Sequence, residues 1–233
     1  MCSSDLILTP AGLADILENY AQLVERKDPK SKRVKRDQIF PRFHQLDVVR
    51  RLLAHAASHG AGQRYLVQHS AGSGKSNSIA WLAHQLIGLR RDERTVFDAI
   101  VVVTDRRILD QQLRDTIKQF AQVGATLGHA EHSSELRRYL AGGKKIIIST
   151  VQKFPHILDE LESERAATGR CFAILIDEAH SSQGGKASGA MSQALHDGSD
   201  DDSPEDQINR IMEGRKLLPN ASYFAFTATP KNK

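Results

Sequence analysis

Cysteine is nearly absent from this chain: there are two in 233 residues, Cys2 and Cys171. Set so far apart, they do not make a disulfide framework, and a reducing cytoplasm is the default setting. There is no apolar run long enough to span a membrane. The opening residues MCSSD lack the basic and apolar regions of a signal peptide. Charge of one sign does not dominate either. The 32 Lys+Arg against 28 Asp+Glu leave a net +4, which permits a polyanionic partner without arguing for one. No internal repeat is visible.

What is present is ordinary for a soluble globular fold: 40% hydrophobic and 26% charged residues, in a length that suits one large domain or two small ones. Basic residues cluster at 27–36 (KDPKSKRVKR), at 90–94 and at Arg106-Arg107, and acidic ones at 197–206. Such runs are more often solvated loops than specific patches. Residues 8–24 read as an amphipathic helix, with Thr9 as cap, Pro10 in the first turn, and Leu13, Ile16, Leu17, Tyr20, Leu23 and Val24 at helical spacing. Residues 27–36 then read as a linker, and 43–55 as a second helix with Val48, Val49, Leu52 and Leu53 on its apolar side.

Further on, short apolar runs at 65–67, 99–103, 145–149, 172–176 and 223–226 alternate with helical patterns at 75–89, 106–122, 134–140, 154–164 and 205–217. That alternation predicts an α/β fold: a mainly parallel sheet with helices on both faces. Residues 184–203 read as a long loop with a short helix near 190–195. The expected organisation is an N-terminal helix and basic linker over 1–36, then one domain over 37–233. Both ends have the look of arbitrary boundaries, and Met1–Leu6 reads as foreign to the rest.

Residues 65–86, YLVQHSAGSGKSNSIAWLAHQL, hold the chemistry. A strand leads into Gly72, Ser73 and Gly74, and a helix begins near Lys75 and Ser76. Backbone N–H groups converging at a helix N-terminus make an anion site, and glycines let the backbone approach phosphate without a Cβ. Lys75 suits the β- and γ-phosphates of a nucleotide, and Ser76 suits Mg2+. The general pattern G-x-x-x-x-G-K-[ST] would put a glycine at 69, where this chain has His69. A side chain is tolerable there if the loop curls later.

A second apolar strand ends in Asp177-Glu178, within CFAILIDEAH (171–180). At the C-terminal end of a parallel strand a carboxylate lies beside the loop of the neighbouring strand, so Asp177 can hold Mg2+ through water and Glu178 can polarise the attacking water. Other arrangements fail. His129 and His132 have no further ligand nearby and read as a surface pair. No Ser–His–Asp or Cys–His set stands out. A GTPase would want N-K-x-D, and no aspartate follows Asn232-Lys233.

Lys75-Ser76, DEAH (177–180) and FTATP (226–230) together resemble the motor core of superfamily 2 helicases and translocases. With PRFHQLDVVRRL (41–52), VVTDRRILDQQL (102–113) and DEAHSSQGG (177–185) in order, the chain is more narrowly similar to the motor/endonuclease R subunit (HsdR) of type I restriction–modification enzymes. These blocks span most of 41–231.

The resemblance implies a RecA-like P-loop NTPase lobe that binds ATP and Mg2+ in a cytoplasmic enzyme. It would translocate double-stranded DNA beside methylation and specificity subunits. It implies that Gln45 reads adenine and that Lys75, Asp177 and Glu178 are catalytic. It further implies that Gly72, Ser73, Gly74 and Ser76 cradle the nucleotide. His180, Thr227, Ala228 and Thr229 would couple hydrolysis to movement. Thr104, Arg106, Arg107, Ser149, Thr150 and Gln152 would face DNA, although strand-end hydroxyls can equally cap the following helices. A related type III restriction or helicase subunit, or a non-motor nucleotide switch, are the competing readings.

The second RecA-like lobe and the nuclease domain of that family are not read in these residues. The isolated chain is therefore expected to bind ATP–Mg2+ weakly, to turn it over poorly, and neither to cut nor to translocate DNA. Robust DNA-stimulated ATP hydrolysis by the purified chain would overturn that expectation.

Overall fold

A computed structural model describes residues 9–27, 34–70, 72–104, 117, 127–129, 133–150, 154–177 and 218–227. The order is α1 (Pro10–Asn19), β1 (Gln22–Lys27), β2 (Val34–Ile39), α2 (Phe43–His59), β3 (Arg64–Gln68), α3 (Lys75–Gly88), β4 (Arg90–Arg91), β5 (Arg94–Thr95), β6 (Ala99–Thr104), β7 (Leu127–His129), α4 (Ser133–Ala141), β8 (Ile146–Thr150), α5 (Phe154–Thr168), β9 (Phe172–Asp177) and β10 (Ala221–Thr227). Among the described residues no helix is long and apolar enough to cross a membrane.

Six strands form one sheet in the order β3-β10-β9-β6-β8-β7, and every neighbouring pair is parallel. Of the four inner strands, β6, β8 and β9 are buried along their whole length. That is why they read as continuous Ile/Val/Leu runs rather than alternating ones. Successive side chains still go to opposite faces. Ile100, Val102, Ile146, Ile148, Leu175 and Phe224 pack into one core with α1, α2 and α3. Val101, Val103, Ile147, Ile174, Ile176 and Tyr223 pack into the other with α4 and α5. The expected α/β fold with a helix-covered parallel sheet is borne out.

Among the described residues α3 is the innermost helix. Ile79, Ala80, Trp81, Leu82, Ala83 and Leu86 are buried around most of its circumference, because it packs against α2 on one side and β6 and β9 on the other. Trp81 ties it to α1: its Nε1–H donates to the Tyr20 carbonyl at 2.9 Å, and the two rings lie 5.9 Å apart. Arg50 of α2 completes the tie, donating to Asp15 at 2.6 and 2.9 Å.

The N-terminal region departs from expectation. The helix stops at Asn19 instead of reaching Val24, and both ends of the stretch 27–36 that reads as a linker are strand, with 28–33 outside the described residues: β1 and β2 pair antiparallel from Gln22↔Ile39 to Lys27↔Val34. Leu23 and Val24 fall on alternating faces, Val24 buried and Leu23 exposed. A helical count across 20–24 mistakes that two-residue period for the end of a 3.6-residue one. The apolar stripe of α1 is also split. Ile16 and Tyr20 are buried, whereas Leu13 and Leu17 are 45% and 60% exposed beside Phe40 and Phe43. The hairpin β4–β5 and the edge strand β7 are additions to the expected elements. His129 lies on β7, and His132 lies outside the described residues.

Trp81 is the sole tryptophan and is fully buried. Trp81→Ala is expected to cost about 3–5 kcal/mol of stability, read as a lowered urea midpoint by circular dichroism. A change below about 1 kcal/mol would mean that α3 is not the packing centre described.

Candidate nucleotide-binding site

The loop after β3 begins at His69, whose backbone N–H continues the sheet by donating to the Thr227 carbonyl at 2.9 Å. Beyond it, Gly72 (φ +75) and Gly74 (φ +83) are both left-handed, a region that costs residues with a Cβ about 1–2 kcal/mol. Gly74 is also the N-cap of α3. Lys75 and Ser76 therefore occupy the first helical turn, both partly exposed, where amide N–H groups have no partner within the helix. Among the described residues, a Cβ built on Gly72 would meet nothing within 4 Å. Left-handed glycines and helix-start amides fit a phosphate chain.

The start of α2 backs the loop. Gln45 is 3% exposed. Its Oε1 accepts from the Arg42 N–H at 2.8 Å, and its Nε2 donates to the carbonyls of Ser73 at 3.2 Å and Gly74 at 3.0 Å. Both amide hydrogens are thus engaged on the loop. Reading adenine with this side chain would take one of them off a loop carbonyl. Next to it, His44 Nε2 lies 3.2 Å from the same Ser73 carbonyl. The rings of His44 and His69 stand nearly perpendicular, with centroids 5.3 Å apart. Burial holds His69 below the usual imidazole value, and the charges of His44 and Lys75 push the same way.

Asp177 ends β9 and is 5% exposed. Register places it in a row across the C-terminal edge of the sheet. Val67 pairs with Phe226, Phe226 with Asp177, Asp177 with Thr104, and Thr104 with Thr150. The phosphate-loop strand and the Asp177 strand are therefore not immediate neighbours. β10 lies between them, and its last residue, Thr227, pairs with Gln68 at the mouth of the loop. Residue order does not show this, because β10 follows both strands in the chain and is inserted between them. The hydroxyl of Ser76 and the carboxylate of Asp177 are hard oxygen donors of the kind Mg2+ takes.

Thr104, Ser149 and Thr150 lie on the same edge, but all three are buried. They are strand-end hydroxyls inside the sheet rather than groups on an open surface. Glu178, His180, Ala228, Thr229, Arg106, Arg107 and Gln152 lie outside the described residues. What the sequence reading missed is the contact of His44 and Gln45 with the loop. The only signal was their place at the start of a helix whose packing partner was unknown.

The family description "SWI2/SNF2 ATPase" matches residues 44–233. The chain belongs to the SWI2/SNF2 ATPase family. Among curated proteins this SWI2/SNF2 ATPase chain is 32% identical to the type I restriction enzyme HindI endonuclease subunit of Haemophilus influenzae, over 96% of its own length and 20% of the relative's. It is 30% identical to a putative type I restriction enzyme MjaIXP endonuclease subunit of Methanocaldococcus jannaschii, over 71% of its length and 13% of the relative's. The resemblance read from the motifs is borne out, and the chain spans about a fifth or less of these relatives. Among solved structures the UvsW helicase from bacteriophage T4 aligns with 94% of the chain and 60% of its own, at 13% identity and a TM-score of 0.47. A likeness that low bears nothing on the site.

A Cβ on Gly74 would sit 2.5 Å from Gln45 Nε2, in addition to being strained by its left-handed backbone. Gly74→Ala is expected to weaken binding of an ATP analogue by tenfold or more, and to lower stability by about 1–2 kcal/mol. Titration calorimetry and thermal melting check the two effects; wild-type affinity in the variant would contradict the loop geometry.

Proposed function

We propose that this chain is the ATP-binding motor lobe of a type I restriction enzyme R subunit. In the whole protein it would couple ATP hydrolysis to translocation of double-stranded DNA, with cleavage left to a separate nuclease domain. The observation that carries this reading is the pairing of the left-handed glycine loop at β3 with Asp177 on the same sheet edge, in a SWI2/SNF2 ATPase chain whose relatives are named as restriction endonuclease subunits.

Each residue has a part in this reading. The amides of Gly74, Lys75 and Ser76 receive the β- and γ-phosphates at the start of α3, where the helix dipole favours negative charge. Lys75 brings a positive charge to the same oxygens. Ser76 and Asp177 would hold Mg2+, which when bound neutralises charge on the phosphates. Glu178 orients the attacking water. Thr227 sits at the end of the strand between loop and carboxylate. From there, the segment Thr227, Ala228 and Thr229, together with His180, is suited to pass a change at the phosphates to the rest of the motor. Arg106, Arg107 and Gln152 are the first candidates for the DNA backbone, ahead of the buried hydroxyls. The methylation and specificity subunits are the proposed partners, and the cytoplasm is the proposed setting.

Lys75→Ala tests the site. It is expected to abolish Mg2+-dependent binding of a non-hydrolysable ATP analogue, and with it the rise in melting temperature that ligand binding produces. Binding unchanged from the parent chain would sink the assignment.

A further inference from the structure

Phosphate binding by a loop sets a demand on peptide orientation. Within one peptide unit the C=O and N–H point in opposite directions. To aim the N–H groups of Gly74 and Lys75 at a phosphate, the carbonyls of Ser73 and Gly74 must face away from it. Those are the two carbonyls that the start of α2 engages. Gly74 O accepts from Gln45 Nε2 and from the α3 amide of Asn77 at 3.0 Å each. Ser73 O accepts from Gln45 Nε2 and faces His44 Nε2, both at 3.2 Å.

We infer that His44 is a positioning residue for the phosphate loop. Its Nε2–H holds the Ser73 carbonyl outward and so presets the Gly74 N–H for a nucleotide phosphate. A carbonyl only accepts, so this contact selects the tautomer with hydrogen on Nε2. The His69 ring, nearly perpendicular to it with centroids 5.3 Å apart, restricts the His44 ring in turn. His69, standing in place of the pattern's first glycine, thereby steadies the residue that steadies the loop. Gln45 alone would share its two hydrogens between two carbonyls; His44 gives the Ser73 peptide a second donor.

This inference rests on the nucleotide-site reading, and the test separates the two. In the full chain, affinity for a fluorescent ATP analogue with Mg2+ is measured for His44→Phe, His44→Gln and Lys75→Ala, with inorganic tripolyphosphate as a competitor lacking a base. His44→Phe keeps a ring against His69 but removes the donor. It is expected to weaken both ligands by about three- to tenfold, the range of one net hydrogen bond. His44→Gln places an N–H donor where Nε2 was and is expected to stay within about twofold of the parent. His44 is exposed, so both variants should melt like the parent without ligand. Three results would overturn the inference: unchanged affinity in His44→Phe, equal loss in His44→Gln, or loss for the ATP analogue but not for tripolyphosphate, which would place His44 at the base. Loss of fold stability in His44→Phe with no rescue by His44→Gln would also overturn it. Unaltered affinity in Lys75→Ala would instead overturn the site itself.

Discussion

A loop that binds phosphate through its amides must turn them all one way, and its carbonyls must then go the other way. Buried carbonyls left without donors are costly. The structure meets that constraint from two directions. From the front, Gly72 and Gly74 take left-handed conformations that a Cβ would strain. From behind, the start of α2 supplies Gln45 and His44 to the displaced carbonyls. α2 is in turn fixed through Arg50 to α1 and through α3 to the sheet.

The sheet provides the second half of the arrangement. Parallel strands all end at the same edge, so groups on distant segments arrive side by side. Val67, Phe226, Asp177, Thr104 and Thr150 share one register row. With strands about 4.8 Å apart, Asp177 stands two strands, or about 10 Å, from β3 along that row. That interval is occupied by β10, the strand that leads into the TATP segment. On the proposed reading, the coupling residues thus begin between the phosphate loop and the metal-holding carboxylate.

Several features were legible from residue order. Strands β6, β8 and β9 are buried on both faces, so their apolar runs are continuous and stand out. The loop could be read because Gly-x-Gly-Lys-Ser between a strand and a helix has few other uses. The hairpin β1–β2 was hidden because its strands carry many charges and little apolar alternation. The role of Gln45 was read only from resemblance; its contact with the carbonyls of Ser73 and Gly74 was not read at all.

Sequence alone determined the local chemistry: which residues can curl left-handed, which can bear charge at a helix start, and which runs must be buried. These depend on side-chain identity and on neighbours a few positions away. Tertiary structure decided the pairings made across long separations in the chain. It put β10 between β3 and β9, and it brought His44 against His69 and the Ser73 carbonyl. It also buried Thr104, Ser149 and Thr150 within the edge they terminate. Such contacts depend on how helices and strands pack, and no spacing of residues along the chain encodes that distance.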